Sequence, residues 1–437
     1  MPVLTADYSS SQFPNPLYRK IVRGACNSTT VCVHWPRSMS TRTPGFIPHS
    51  KELNMKTLMQ WRDLPAEAEE WMARIEAVRP LILRHRDYAE EHGETHPEVM
   101  AELFKLGFSR LCVSKAFGGQ QLDMRVISQI VQRLAALDAS VSWQVMVQVA
   151  MGRLADYLPE QAAQEIYSGC NGFVVGAIHS GGEAIAVEGG YRVSGKWGFA
   201  SGSAHADWLV CTATLKQEVA DGSQPQVRML FVPRSECRIL KTWDVMGMRG
   251  TGSNHFECSN VFVPAHYSVD PESLKKAPAP RASLAYKVGY YDFGTIAAMG
   301  TVLGVAKAAL EYFRDERTVP ADEGVAALTS EKTGIVLAQL HSAQLLLEDA
   351  ITQSQLADGD GMNVRVGLAG SLLNEHALNA VNQLHGLTGS KAVYKTCALE
   401  RSLRDIHVGS KHFVLSPLNL FGLGKLYLGK AQTSKIY

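Results

Sequence analysis

Apolar side chains recur at three- and four-residue steps in the first third of the chain. Ile127, Ile130, Val131, Leu134 and Leu137 fall on one face of a helix that Asp138-Ala139-Ser140 ends. An earlier helix opens at Pro97, where the missing N–H is harmless in a first turn, and Gly107 stops it. Gly118 and Gly119 form a loop before the next helix. Residues 56–168 therefore read as an α-helical domain.

The period changes near residue 171. Ala184–Val187 and Tyr191–Val193 flank a Glu188-Gly189-Gly190 turn, which predicts a hairpin. A second turn is expected at Ser194-Gly195-Lys196, followed by a strand through Phe199. Asp207–Thr214, Val227–Val232 and Asn254–Val263 read as further strands, the first two joined by a polar loop with Asp221-Gly222-Ser223 and Pro225. Short strands at this spacing predict a compact β-barrel or sandwich over residues 169–271. A Pro- and Lys-rich linker spans 272–281. The helical period then returns: Ile296, Met299, Val302, Leu303, Val305 and Leu310 mark one long helix, and Ile335, Leu337, Leu340, Leu345 and Leu346 a second. Further helices are expected over roughly 366–385 and 391–412, making a C-terminal four-helix bundle over 282–437. The order is α, β, α.

A formal net charge of +1 offers no field to gather nucleic acid or an acidic membrane. No run of eighteen apolar residues argues for a membrane span. The eight cysteines lie far apart, without C-x-x-C or zinc spacing, so no metal site is expected and a reducing, cytoplasmic setting fits. Residues 1–55 hold few acids and no hydrophobic period, and Met39 and Met55 offer later starts. They read as a disordered extension, with a transit peptide as the other reading.

The chemistry-bearing strings are Gly190-Tyr-Arg-Val-Ser-Gly-Lys-Trp-Gly-Phe-Ala-Ser-Gly-Ser203, Trp243-Asp-Val-Met-Gly-Met-Arg-Gly-Thr-Gly-Ser253, Gln383-Leu-His-Gly-Leu-Thr-Gly389 and the stretch Leu399–Phe413 with Arg404-Asp405 and His412. Taken alone, Gly386 and Gly389 fit helix caps, and His412 fits a capping or core histidine. No string looks like a nicotinamide site. Together with the α-β-α order, these strings resemble the acyl-CoA dehydrogenase fold family over roughly residues 60–430. The usual members place a catalytic glutamate where Phe413 stands, and a minority place it where Gly294 stands in Tyr290-Tyr291-Asp292-Phe293-Gly294. Both positions lack a carboxylate. The chain is similar instead to the flavin-dependent, two-component (group D) monooxygenase branch, whose W-x-F-x-S-G pattern matches Trp197, Phe199, Ser201 and Gly202.

That resemblance implies an oxygenase component using reduced FAD or FMN, delivered by a separate NAD(P)H:flavin reductase, with O2 as co-substrate and a C4a-hydroperoxyflavin as oxidant. It implies catalytic roles for His412 and Ser201. The cofactor would be bound by Trp197, Phe199, Ser201, Arg249, Thr251, Gly252 and Ser253, with Arg317 on the pyrophosphate. Gly386 and Gly389 would reach the cofactor of a neighbouring chain in a homotetramer. Aromatic hydroxylases of this branch often follow a G-W segment, eight residues on, with a histidine that holds a phenol. Here Ser142-Trp143 is followed by Met151. An apolar substrate pocket with Trp143, Gln148, Met151 and His412 is expected, for a heteroaromatic or polycyclic molecule. The alternatives are an acyl-CoA dehydrogenase or oxidase with a base from elsewhere, and an N- or S-oxygenase.

Overall fold

The computed structural model describes residues 64–169, 172–216, 226–278, 287–316, 321–356 and 364–429. The expected N-terminal extension, the Asp221-Gly222-Ser223 loop and Arg317 lie outside them. The first layer is helical: α1 (Glu67–Arg84), α2 (Arg86–His92), α3 (Pro97–Lys105), α4 (Met124–Leu137), α5 (Ala139–Gly152) and the short α6 (Glu160–Ala163). Asp138 both ends α4 and starts α5, its Oδ1 accepting from Ser140 N and Val141 N at 2.8 and 3.0 Å. This side-chain cap satisfies donors that the first helical turn leaves unpaired.

Among the described residues seven strands follow: β1 (Phe173–Val187), β2 (Gly190–Ala200), β3 (Ala206–Leu215), β4 (Val227–Pro233), β5 (Arg238–Leu240), β6 (Asn254–Pro264) and β7 (Ser268–Val269). They form one sheet in the order β5-β6-β2-β1-β3-β4-β7, with β1 and β3 parallel and the other pairs antiparallel. The hairpin at Gly189 is as expected, with Val187 opposite Gly190. The second turn is not. Gly195 sits inside β2 opposite Gly182, because a Cβ there would strike the Gly182 backbone. Glycine serves strand contact here, not chain reversal.

The C-terminal layer holds α7 (Tyr290–Glu316), α8 (Glu323–Leu356), α9 (Val364–Thr388), α10 (Ala398–Gly409) and α11 (Leu418–Tyr427). α7 packs against α4, α5, α8, α9 and α10, so it runs through the centre of the helical core. Its composition alone would let it cross a membrane, but 83% of its apolar window is buried inside the protein. Two expected boundaries move. The segment before α10 is a 3-10 turn at Gly389–Val393, and α10 ends at Gly409, leaving His412 in extended backbone at φ −62° and ψ 134°.

Candidate active site

The site is built where β2 ends. Phe199 adopts φ +61°, which turns its ring out of the strand so that it stays 65% exposed. The next step brings Ser201 back inside. Its Oγ lies 2.6 Å from Ser253 Oγ, which lies 2.7 Å from Thr251 Oγ1, which donates to Met248 O at 2.9 Å. Because a carbonyl only accepts, the single Thr251 proton points to Met248. Ser253 must then donate to Thr251, and Ser201 to Ser253. The row therefore has a direction, and Ser201 keeps its lone pairs free for a donor in the cavity.

The 241–253 segment that carries two of these hydroxyls is held from both sides. Asn254 Oδ1 accepts from Thr242 N and Trp243 N, at 2.9 and 3.0 Å. At its tip Met248 sits at φ +48°, and its N–H donates to Asp405 Oδ1 at 2.6 Å. A Cβ on Gly247 would collide with the Arg404 carbonyl, so the tip lies backbone to backbone against α10. Burial pushes the Asp405 carboxyl up to about 7, with Asp138 and Glu90 adding to the rise and Arg404 and the Met248 N–H opposing it.

Between this segment, α5, the start of α7 and the turn after α10 lies a cavity of about 670 Å³. Trp143 and Met151 come from α5, Tyr290, Tyr291 and Gly294 from α7, and His412 and Phe413 from the turn. The His412 ring stands edge-on to Trp143, with centroids 5.3 Å apart. Its Nδ1 is buried with no hydrogen-bond partner. Burial pushes the ring's pKa down to about 4, so His412 is neutral at ordinary pH and keeps a nitrogen lone pair to accept a hydrogen bond. Among the described residues the cavity wall carries no carboxylate.

Phe199, Ser201, Thr251, Ser253, Trp143, Met151 and His412 thus meet around one cavity. The other expected site residues among those described do not line this cavity. Gln148 faces away from the cavity: it is buried and accepts from Val174 N at 2.6 Å, tying α5 to β1. Trp197 is fully buried in the sheet, donating to Thr212 O at 2.8 Å and stacking on Phe256. The Arg249 guanidinium is spent on Glu90 O and Val245 O, at 2.8 and 2.9 Å, and the side chain does not line the cavity. Gly386 lies within α9 rather than in a turn, and only Gly389, at φ +64°, ends that helix; both are exposed. Gly252 takes φ +52° between Thr251 and Ser253, setting the angle of the row.

Tyr290 and Tyr291 escaped the sequence reading, although Gly294 was singled out one turn later on the same face. His85, His96 and Glu98 bring metal-ligating atoms within 4.8 Å of one another, and His96 Nδ1 accepts from Glu98 N at 3.2 Å.

A Cβ on Gly294 meets nothing within 4 Å. Gly294→Ala is therefore expected to raise stability by about 0.5–1 kcal/mol through helix propensity. The same methyl enters the cavity, so affinity for large ligands should fall. Thermal melts with ligand titrations check both; lowered stability would contradict the open space.

Two family models match: the acyl-CoA dehydrogenase N-terminal domain over residues 69–172 and the acyl-CoA dehydrogenase C-terminal domain over 295–417. The chain is 26% identical over 362 residues to a pigment production hydroxylase of Rhodococcus sp. (strain ATCC 21145), covering 79% of this chain and 92% of that protein. It is 26% identical over 380 residues to the flavin-dependent monooxygenase, oxygenase subunit HsaA, of Rhodococcus jostii (strain RHA1), covering 82% and 98%. XiaF from Streptomyces sp., solved with FADH2 and glycerol, superposes with a TM-score of 0.73 at 20% identity, covering 84% of this chain and 97% of that one. With a carboxylate-free cavity inside the matched fold, the chain belongs to the acyl-CoA dehydrogenase fold family, in its flavin-dependent monooxygenase branch.

Proposed function

We propose that this chain is the oxygenase component of a two-component flavin-dependent monooxygenase acting on an aromatic or heteroaromatic small molecule. The observation that carries the reading is a neutral histidine in a cavity without carboxylates. Removing an α-proton from an acyl thioester needs a carboxylate base, and neither Phe413 nor Gly294 supplies one. Relatives that share most of its length are named as oxygenase subunits and hydroxylases.

The directed hydroxyl row fits a reduced flavin. Ser201 has acceptor capacity to spare, and the reduced ring carries a hydrogen on N5 where the oxidised ring carries a lone pair. When bound, reduced FAD or FMN supplies the two electrons that activate O2. Ser201, Thr251 and Ser253, with Phe199, would hold the ring. His412 takes the proton from a substrate O–H or N–H as oxygen arrives, or keeps a hydrogen bond to the arriving oxygen. Trp143, Met151 and Phe413 line the rest and exclude water. The reductants come from a separate NAD(P)H:flavin reductase. A homotetramer is consistent with the exposed apolar side chains Ile335, Leu345 and Leu368 along α8 and α9.

Reduced flavin is expected to bind about tenfold tighter than oxidised flavin, one hydrogen bond's worth of preference. Titration under anaerobic conditions reads this directly, and equal affinities would contradict the direction of the row. In the functional test, protein, reduced flavin and an aromatic substrate are mixed with 18O2. One labelled oxygen in the product supports the reading. Flavin bleaching by an acyl-CoA without oxygen would overturn it.

A further inference from the structure

Tyr290 opens α7 and reaches the cavity one turn before Gly294. Only 3% of the residue is exposed. Its hydroxyl donates to Met151 Sδ at 3.5 Å, which is a poor resting partner because a thioether is a weak acceptor. Burial raises the phenol's own pKa, with Tyr291, Cys112 and Tyr157 adding to the rise, and the nearest charges, Arg153 beyond Tyr157 and Phe293 and its partner Asp156, are paired with each other at 3.0 Å. This end of the cavity therefore holds an uncharged, under-satisfied O–H. A buried donor with a weak partner gains by exchanging it for a better acceptor.

We infer that Tyr290 is a substrate-anchoring, specificity-determining residue, whose hydroxyl leaves Met151 Sδ to donate to a neutral acceptor atom of the substrate, such as a ring nitrogen or a carbonyl oxygen. The inference rests on the oxygenase reading for its biological meaning, but the contact itself is a binding property. An ionised substrate does not suit this end. A phenolate or carboxylate would be desolvated there, and the buried cation behind this end, Arg153, is already paired with Asp156 at 3.0 Å. One helical turn along the same wall, no atom lies within 4 Å of where a Gly294 Cβ would stand. Met151 then has two duties: its side chain lines the wall, and its sulfur parks the hydroxyl when no substrate is present.

Quinoline and naphthalene form a matched pair of probes, equal in shape and differing in one acceptor nitrogen. Their affinities for the flavin-loaded protein are measured by equilibrium titration at pH 8, where quinoline is neutral. Tyr290→Phe keeps the ring and removes the hydroxyl. The quinoline-to-naphthalene affinity ratio is expected to fall about tenfold in this variant, with naphthalene affinity and flavin binding unchanged. Met151→Leu removes the resting partner, and there the ratio should be kept or enlarged. A purely structural role would change both probes equally in Tyr290→Phe and leave the ratio alone; that result overturns the inference, as does failure of both probes to bind. A ratio that responds as expected in a protein that transfers no oxygen from 18O2 would retain Tyr290 as an anchor and sink the oxygenase reading instead.

Discussion

His412→Ala is expected to bind reduced flavin as the wild type does, and to lose coupled product formation by ~10²–10⁴-fold, the usual worth of a positioned general base. Oxygen consumption should continue, with hydrogen peroxide replacing product. The separation follows from placement. His412 lies on the turn after α10 against Trp143, whereas the hydroxyl row lies on β2 and the 241–253 segment. Product and peroxide per O2 consumed are the measurements. Unchanged product yield would remove His412 from the chemistry. Because the ring titrates at about 4, the acidic limb of the wild-type profile should also lie near there rather than near the ordinary histidine value.

The second large effect concerns stability. Asp405 has a folded pKa raised to about 7, so its contribution is full below the ordinary carboxylate value and is lost as pH climbs through 7. His412 has a folded pKa lowered to about 4, so its contribution is full above the ordinary histidine value and is lost as pH falls toward 4. Between these limits the unfolded chain carries a proton on His412 and the folded chain carries one on Asp405. Their slopes oppose and largely cancel. Asp405→Asn keeps an oxygen to accept from Met248 N but removes one side of the balance. The difference in unfolding free energy between variant and wild type should be more favourable to the variant at pH 8 than at pH 4, by on the order of 3 kcal/mol. Urea unfolding at the two pH values reads it; a pH-independent difference would show that Asp405 titrates normally.

Much of the site was legible because its parts are local strings. Phe199, Ser201, Thr251 and Ser253 sit in two short segments whose glycines set the backbone, and a segment carries its geometry with it. What could not be read depends on direction. Gln148 neighbours the cavity-lining Val147, but one helical step rotates its side chain toward β1. Arg249 lies between cavity residues in sequence, yet its guanidinium finds carbonyls on the other side of the segment. The family resemblance groups Trp197 with Phe199 through the W-x-F-x-S-G pattern, and the positive φ at Phe199 separates their side chains. In the fold, the α-β-α order follows from the change of period, while Gly195 misled because a glycine marking close strand contact looks like one marking a turn.

The row of hydroxyls also acts as an insulator. It ends on the Met248 carbonyl, a peptide oxygen far too weakly basic to accept a proton outright. A proton offered at Ser201 has no onward path and can only be handed back. With a flavin bound as proposed, the arrangement would hold a hydrogen bond at the ring's edge while denying a proton an exit along the same route. Shortening the row at Thr251 would replace that closed end with whatever enters the gap.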